Sequence, residues 1–187
     1  MIQFITTNEG KFREVFEKLL EHGIRIEHLD RGYPEIQADS LEKIVRFGAT
    51  VLEDEVEGDY FIDDSGLFVD ALGGFPGPYS VYAFKRIGCA GILKLLEGVA
   101  RRSAAFQTAL LLRHRGDIHV FRGECLGEIA DRQRGKGGFG FDPIFVPQGE
   151  SRTFGEMTVA EKNRHSHRAR AVDELIAYLK RFRGKLD

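Results

Sequence analysis

The first thirty residues read as strand, helix and strand, and this feature constrains the chain more than any other. Ile2 to Thr6 is a short apolar run, and Asn8 is a suitable N-cap for the segment Glu9 to His22. In that segment Phe12, Phe16, Leu19 and Leu20 recur at helical spacing. Gly23 can stop the helix, and Ile24 to Leu29 alternates as a strand does. The pattern is that of an α/β fold. Asp39-Ser40 caps a second amphipathic helix through about Glu55, and Tyr60-Phe61-Ile62 is a short strand expected to end in Asp63-Asp64-Ser65-Gly66. After Leu67-Phe68-Val69, the breaker-rich stretch from Gly73 to Pro78 predicts a shaped loop, and Ile92 to Leu96 a short helix. Ala104 to Arg113 and Ile118 to Leu126 flank Gly116-Asp117 as a long hairpin, and Ile144-Phe145-Val146 forms a further apolar run. Thr158 to Glu161 has the form of a capping box. Ser166 can cap the last helix, whose Ala169, Val172, Leu175, Ile176 and Leu179 form one apolar stripe.

Composition narrows the function. At 187 residues one domain, spanning 1–187, is expected, large enough to bury a core without disulfides or a structural metal. A net charge of -2 argues against a nucleic-acid partner, so any anionic ligand needs locally placed Lys and Arg. Cys89 and Cys125 have neither C-x-x-C nor framework spacing, which suits a reducing, cytoplasmic setting. No apolar run approaches the roughly 20 residues that span a bilayer, so no membrane association is expected. Asn8 and Asn163 are the only asparagines, a scarcity that fits selection against thermolabile amides.

Four polar clusters lie at element boundaries, where α/β folds place ligands. Thr6-Thr7-Asn8-Glu9-Gly10-Lys11 brings hydroxyls, main-chain N–H groups and a Lys to a helix N-terminus, an anion cradle or an ordinary cap with a solvated Lys. Asp63 and Asp64 project in different directions, so one can bind a cation while the other orients water or supports the loop; an Asx-type turn is the plainer alternative. Glu35 can add an oxygen ligand. Gly135 to Asp142 is not a Walker A loop, since no Gly-Lys precedes Ser or Thr, but its glycines admit a ligand and Phe139 and Phe141 offer faces for a base. A flexible tip with one Phe in the core has the same signature. Lys162 to Arg168 carries five cationic or potentially cationic side chains, a solvated run or a binding element.

Taken in order, these clusters resemble the inosine triphosphate pyrophosphatase family. The resemblance spans the chain through Thr7-Asn8-x-x-Lys11, Asp63-Asp64-Ser65-Gly66-Leu67 with Ala71 to Gly77, Gly138 to Pro143, and Lys162-Asn163 with Ser166-His167-Arg168-Ala169. It implies an elongated α/β fold with a long central mixed sheet flanked by helices, two lobes around an active-site cleft, a homodimer and Mg²⁺. It also implies that Thr6 to Lys11 hold the triphosphate, that Glu35 and Asp64 bind Mg²⁺, and that Asp64 acts on the water. Ser65, Phe139, Gly140, Phe141 and Asp142 would position the nucleoside, and Lys162, His167 and Arg168 would read the base and hold the phosphates. The activity implied is hydrolysis of ITP, dITP and XTP to the monophosphate and pyrophosphate. Further basic residues of the family have Arg46 and Lys85 as their candidates here. Donors from His167 and Arg168 suit the 6-oxygen of hypoxanthine and xanthine and repel the amino group of adenine, while guanine needs a second device. A related enzyme for pyrimidine nucleotides, or a nucleotide sensor without turnover, would share the phosphate cradle and differ in substrate or turnover.

Overall fold

The structure, a computed structural model, describes residues 1–183. It opens as its sequence suggests, with β1 (Ile2–Ile5), α1 (Glu9–Leu20) and β2 (Ile26–Leu29), the two strands pairing in parallel. The Asn8 side chain accepts from the Lys11 main-chain N–H at 3.0 Å, so the expected cap is made. After α2 (Leu41–Leu52), β3 (Tyr60–Val69) joins β1 in parallel. A short β4 (Pro76–Gly77) then turns back on β3. Beyond α3 (Ser80–Leu95), β5 (Ser103–His114) and β6 (Asp117–Ile129) form the long hairpin, followed by β7 (Phe145–Pro147), α4 (Val159–Lys162) and α5 (His167–Arg183). The result is one 7-stranded mixed sheet in the order β2-β1-β3-β5-β6-β7, with β4 on β3.

Two sequence expectations are corrected. β3 does not end at Asp63: it continues through the acidic pair to Val69, because β5 supplies an antiparallel partner for every residue from Tyr60 to Val69. Nonlocal pairing satisfies a backbone whose own residues read as a turn. α3 begins at Ser80, well before Ile92, and bends at Gly88, whose φ of 57° departs from the helix. Its early turns escape a periodicity reading because Tyr82 and Ile87 face outward while Val81 and Phe84 line a cavity, so that no single core stripe forms.

The long strands β3, β5 and β6 run through both lobes. In one lobe Phe61, Leu110 and Leu112 pack under α1 and α5 on one sheet face, while Tyr60, Ile62, Ala109 and Leu111 pack against α2 on the other. In the second lobe Leu67, Val69 and Phe106 pack with Ile92, Phe145 and Phe154. The last helix lies close on β6 because position 123 is glycine: a Cβ there would stand 1.9 Å from the His167 carbonyl oxygen. Ser166 caps that helix by accepting from Ala169 N–H, and its expected stripe from Ala169 to Leu179 is buried. Among the described residues no helix is long and apolar enough to cross a membrane.

Candidate active site

The site opens where β3 lacks a neighbour on one side. β1 pairs with it only as far as Phe61, and β4 only from Leu67, which leaves Ile62 to Gly66 with an unpaired edge between the lobes. The Asp63 carbonyl on that edge accepts instead from Lys11 Nζ at 3.1 Å and Tyr33 Oη at 3.3 Å. Strand alternation then separates the two carboxylates. Asp63 and Ser65 lie on the α1/α5 side and Asp64 on the α2 side, as their cross-strand neighbours Leu110, Thr108 and Ala109 show.

On the α1/α5 side, charges are buried in pairs. Arg168 Nε donates to Asp63 Oδ2 at 3.0 Å, Nη1 to Glu14 Oε2 at 2.6 Å and Nη2 to Ser65 Oγ at 3.0 Å. Lys162 Nζ lies 2.6 Å from both Glu14 Oε1 and Asp142 Oδ2. Burial works against charge on Arg168 and Lys162, but Asp63 and Glu14 raise the former and Asp142 and Glu14 the latter, so both stay cationic. Burial would likewise raise Asp63, yet Lys11 and Arg168 outweigh it and hold the carboxyl at about 2. Glu14 is lowered in the same way, against burial, by Lys162 and Arg168. This glutamate is absent from the sequence-derived set. Nothing in the sequence marks it, since its partners lie far along the chain; in the structure it is 3% exposed, beside Val15 on the buried face of α1.

Asp64 has no such compensation. Burial pushes it up to about 7, with Glu35 and Asp63 adding to the rise against the pull of Lys11. Its Oδ1 accepts from Ser65 N–H at 2.9 Å, while Oδ2 is buried with no hydrogen-bond partner. An orphaned carboxylate oxygen beside a second acidic side chain is the donor chemistry a hard cation takes. Among the described residues no group of three or more His, Cys, Asp or Glu is placed to hold a metal. Two carboxylates suit Mg²⁺, which keeps waters and takes phosphate oxygens for the rest.

The N-terminus of α1 faces the same opening. Asn8 N–H is taken by Thr6 Oγ1 and Lys11 N–H by Asn8 Oδ1, whereas the N–H groups of Thr7, Glu9 and Gly10 have no protein acceptor among the described residues. Thr6 is buried as the turn's acceptor, and Thr7 and Glu9 are exposed. Gly10 lets Phe139 close over the helix start, since a Cβ would come within 2.5 Å of that ring. Its His28 neighbour steadies the turn from behind, with Nε2 2.8 Å from the Thr6 carbonyl oxygen and its ring stacked on Phe12.

Asn8, Lys11, Ser65, Phe139, Lys162, His167 and Arg168 line a cavity of about 290 Å³, near the lower end for small-molecule sites. Gly140, Phe141 and Asp142 form its wall; Phe141 is a core residue edge-on to Phe84, and Asp142 fixes Phe139 by accepting its N–H at 2.8 Å. Burial raises the Asp142 carboxyl, opposed by Lys162. Lys162 stands 4.6 Å from the Phe139 ring centre. His167 stacks on Phe106 at 4.8 Å, and burial, then Arg168 and Lys162, lower it well below the usual imidazole value, so it is neutral. Its Nδ1 is buried without a partner. Three of the five N–H groups of Arg168 are engaged, leaving two to donate. Sequence reasoning missed Phe84, Phe106 and Ser80 in this wall, and Lys85 joins it, whereas Arg46 sits on the exposed face of α2 paired with Glu42 at 2.8 Å.

A helix N-terminus with unpaired N–H groups, an acidic pair and a half-aromatic cavity thus converge between two lobes. The model of the Ham1 family matches residues 2–178. The chain belongs to the Ham1 family. This Ham1 chain is 50% identical over 96% of its length to the dITP/XTP pyrophosphatase of Thermococcus kodakarensis, covering 97% of that protein. It is 47% identical to the dITP/XTP pyrophosphatase of Pyrococcus horikoshii, covering 96% of each. A solved Ham1 protein from Coxiella burnetii superimposes with a TM-score of 0.81 at 28% identity, covering 97% of this chain and 100% of that one. The dITP/XTP pyrophosphatase of Mycobacterium abscessus gives 0.70 at 33% identity, covering 94% and 98%.

Proposed function

We propose that this Ham1 chain is a nucleoside triphosphate pyrophosphatase that hydrolyses non-standard purine triphosphates such as dITP, ITP and XTP to the monophosphate and pyrophosphate, with Mg²⁺ as its cofactor. The observation that carries the reading is Asp64, a carboxylate buried with one oxygen unpaired, beside a helix N-terminus with free N–H groups. The names of the relatives supply the substrate class.

The triphosphate sits over the start of α1, where Thr7, Glu9 and Gly10 N–H groups and the Lys11 ammonium meet its charge. Asp64 and Glu35 would hold Mg²⁺, which when bound would neutralise phosphate charge and polarise the phosphorus. Asp64, ionised beside the cation, would also take the proton of the attacking water. Water oxygen bonds to the α-phosphorus, the bond to the bridging oxygen breaks, and pyrophosphate leaves. The base enters the cavity against Phe139, where Arg168 retains two N–H donors and His167 one unpaired nitrogen. A 6-oxo group accepts from the Arg168 donors and the 6-amino group of adenine cannot.

The chain acts in the cytoplasm as a homodimer through the outer face of α3, whose Tyr82 is 64% exposed beside Tyr79 and Ile87. Hydrolysis of dITP in ¹⁸O water tests the bond cleaved. Label in the monophosphate is expected, and label in the pyrophosphate contradicts attack at the α-phosphorus.

A further inference from the structure

Asp30 to Ser40 link β2 to α2 and carry Glu35, which is exposed. Among the described residues no main-chain hydrogen bond engages 32–39, so this segment has no ladder or turn to fix it. Its anchor is a side chain. The Tyr33 ring packs into the core face formed by Val45, Ala49 and Ile62, over Gly48. A Cβ at position 48 would stand 2.5 Å and 2.6 Å from two ring carbons, with Ile62 3.2 Å away on the other side, so no larger residue fits beneath the ring as it lies. At its far end the Tyr33 hydroxyl donates to the Asp63 carbonyl at 3.3 Å, the same oxygen that accepts from Lys11. Tyr33 therefore ties the segment both to α2 and to the unpaired edge of β3, two residues before Glu35 and one before Asp64 along their respective segments.

We propose that Tyr33, seated on Gly48, is a positioning residue that presents Glu35 to Asp64 and so sets the affinity of the site for its divalent cation. The inference rests on Glu35 and Asp64 being the cation's oxygen donors. A glutamate on a segment without main-chain bonds loses its conformational freedom when it binds, and an anchor two residues away removes much of that cost in advance. Supporting partners behind metal ligands typically govern affinity by about 10–100-fold.

The test is Mn²⁺ binding to the full-length, nucleotide-free protein, followed by electron paramagnetic resonance of free Mn²⁺, with the Mg²⁺ dependence of turnover measured in parallel. Tyr33→Ala and Gly48→Ala should each weaken Mn²⁺ by about ten-fold or more, and raising Mg²⁺ should restore kcat. In the Tyr33→Ala background Gly48→Ala should add nothing, because there is no ring left to displace. Tyr33→Phe, which keeps the ring in its seat, should lose less than Tyr33→Ala and decides the matter with it if Gly48→Ala does not fold. A purely structural role would lower the melting temperature and leave the Mn²⁺ midpoint in place, which would overturn the inference. Glu35→Gln separates the two levels: Mn²⁺ affinity that falls with Glu35→Gln but not with Tyr33→Ala refutes the positioning role alone, whereas affinity unmoved by Glu35→Gln refutes the cation reading beneath it.

Discussion

Glu14 offers the sharpest test of how the site is held together. Its carboxylate bridges Lys162 and Arg168 at 2.6 Å each, with all three side chains 2–3% exposed. Three acids, Glu14, Asp63 and Asp142, face three cations, Lys11, Lys162 and Arg168. Glu14→Gln keeps the shape and removes one negative charge, leaving a net positive charge in a site almost closed to water. Breaking a buried pair costs about 3–5 kcal/mol. Lys162 keeps Asp142 and Arg168 keeps Asp63, so the lower end, about 3 kcal/mol, is expected. Urea unfolding followed by circular dichroism reads this directly: with a slope of about 2 kcal/mol/M the midpoint should fall by about 1.5 M at unchanged slope. Arg46→Ala, which breaks the exposed pair with Glu42, should stay within about 0.5 kcal/mol of the parent. A Glu14→Gln cost no larger than that of Arg46→Ala would show the network to be solvated and the burial argument wrong.

Asp64→Asn should reduce turnover at least about 100-fold and yet stabilise the metal-free protein above pH 7. Folding raises this carboxyl to about 7, so its ionisation opposes the fold as pH climbs from its unfolded value through 7, and asparagine removes that penalty. Thermal melts at pH 5 and pH 8 check it; equal gains at both would exclude Asp64 as the source. Asp63 carries the opposite sign. Held at about 2, it contributes roughly 2 kcal/mol above pH 4 that is lost as pH falls through 2, so Asp63→Asn should flatten the acid limb of the stability profile; an acid limb unchanged by it refutes the assignment. Tyr82→Asp on the outer face of α3 should convert a dimer to monomers in sedimentation equilibrium, and an unaltered mass would move the interface elsewhere.

Local signals in the sequence survive in the structure where local contacts decide the outcome. The Asn8 cap, the Thr158–Glu161 capping box and the hairpin around Gly116 all close within a few residues. β3 is different. Asp63 to Gly66 is the composition of a turn, and the segment is a strand only because β5, more than forty residues later, pairs with it. The first half of α3 hid for a converse reason, its apolar side chains divided between an outer face and the cavity, so that no inward stripe marks it. In the site, the polar turn at the start of α1 and the adjacent Asp63 and Asp64 were legible as a cluster, although the pair lies within β3 and not at its end. Glu14 was not, because its meaning depends on Arg168, 154 residues away. Nor was the division of labour between the two aspartates legible: adjacency in sequence says that they point apart, but only the packing shows Lys11 and Arg168 on one and a bare oxygen on the other.

The most direct measurement is a product-resolved assay of dITP, XTP, ITP, ATP and GTP with the intact protein and Mg²⁺. Conversion of the three 6-oxo, non-standard purines to monophosphate and pyrophosphate, with little turnover of ATP or GTP, is the expected result. Orthophosphate as the first product, or equal turnover of ATP, would contradict it.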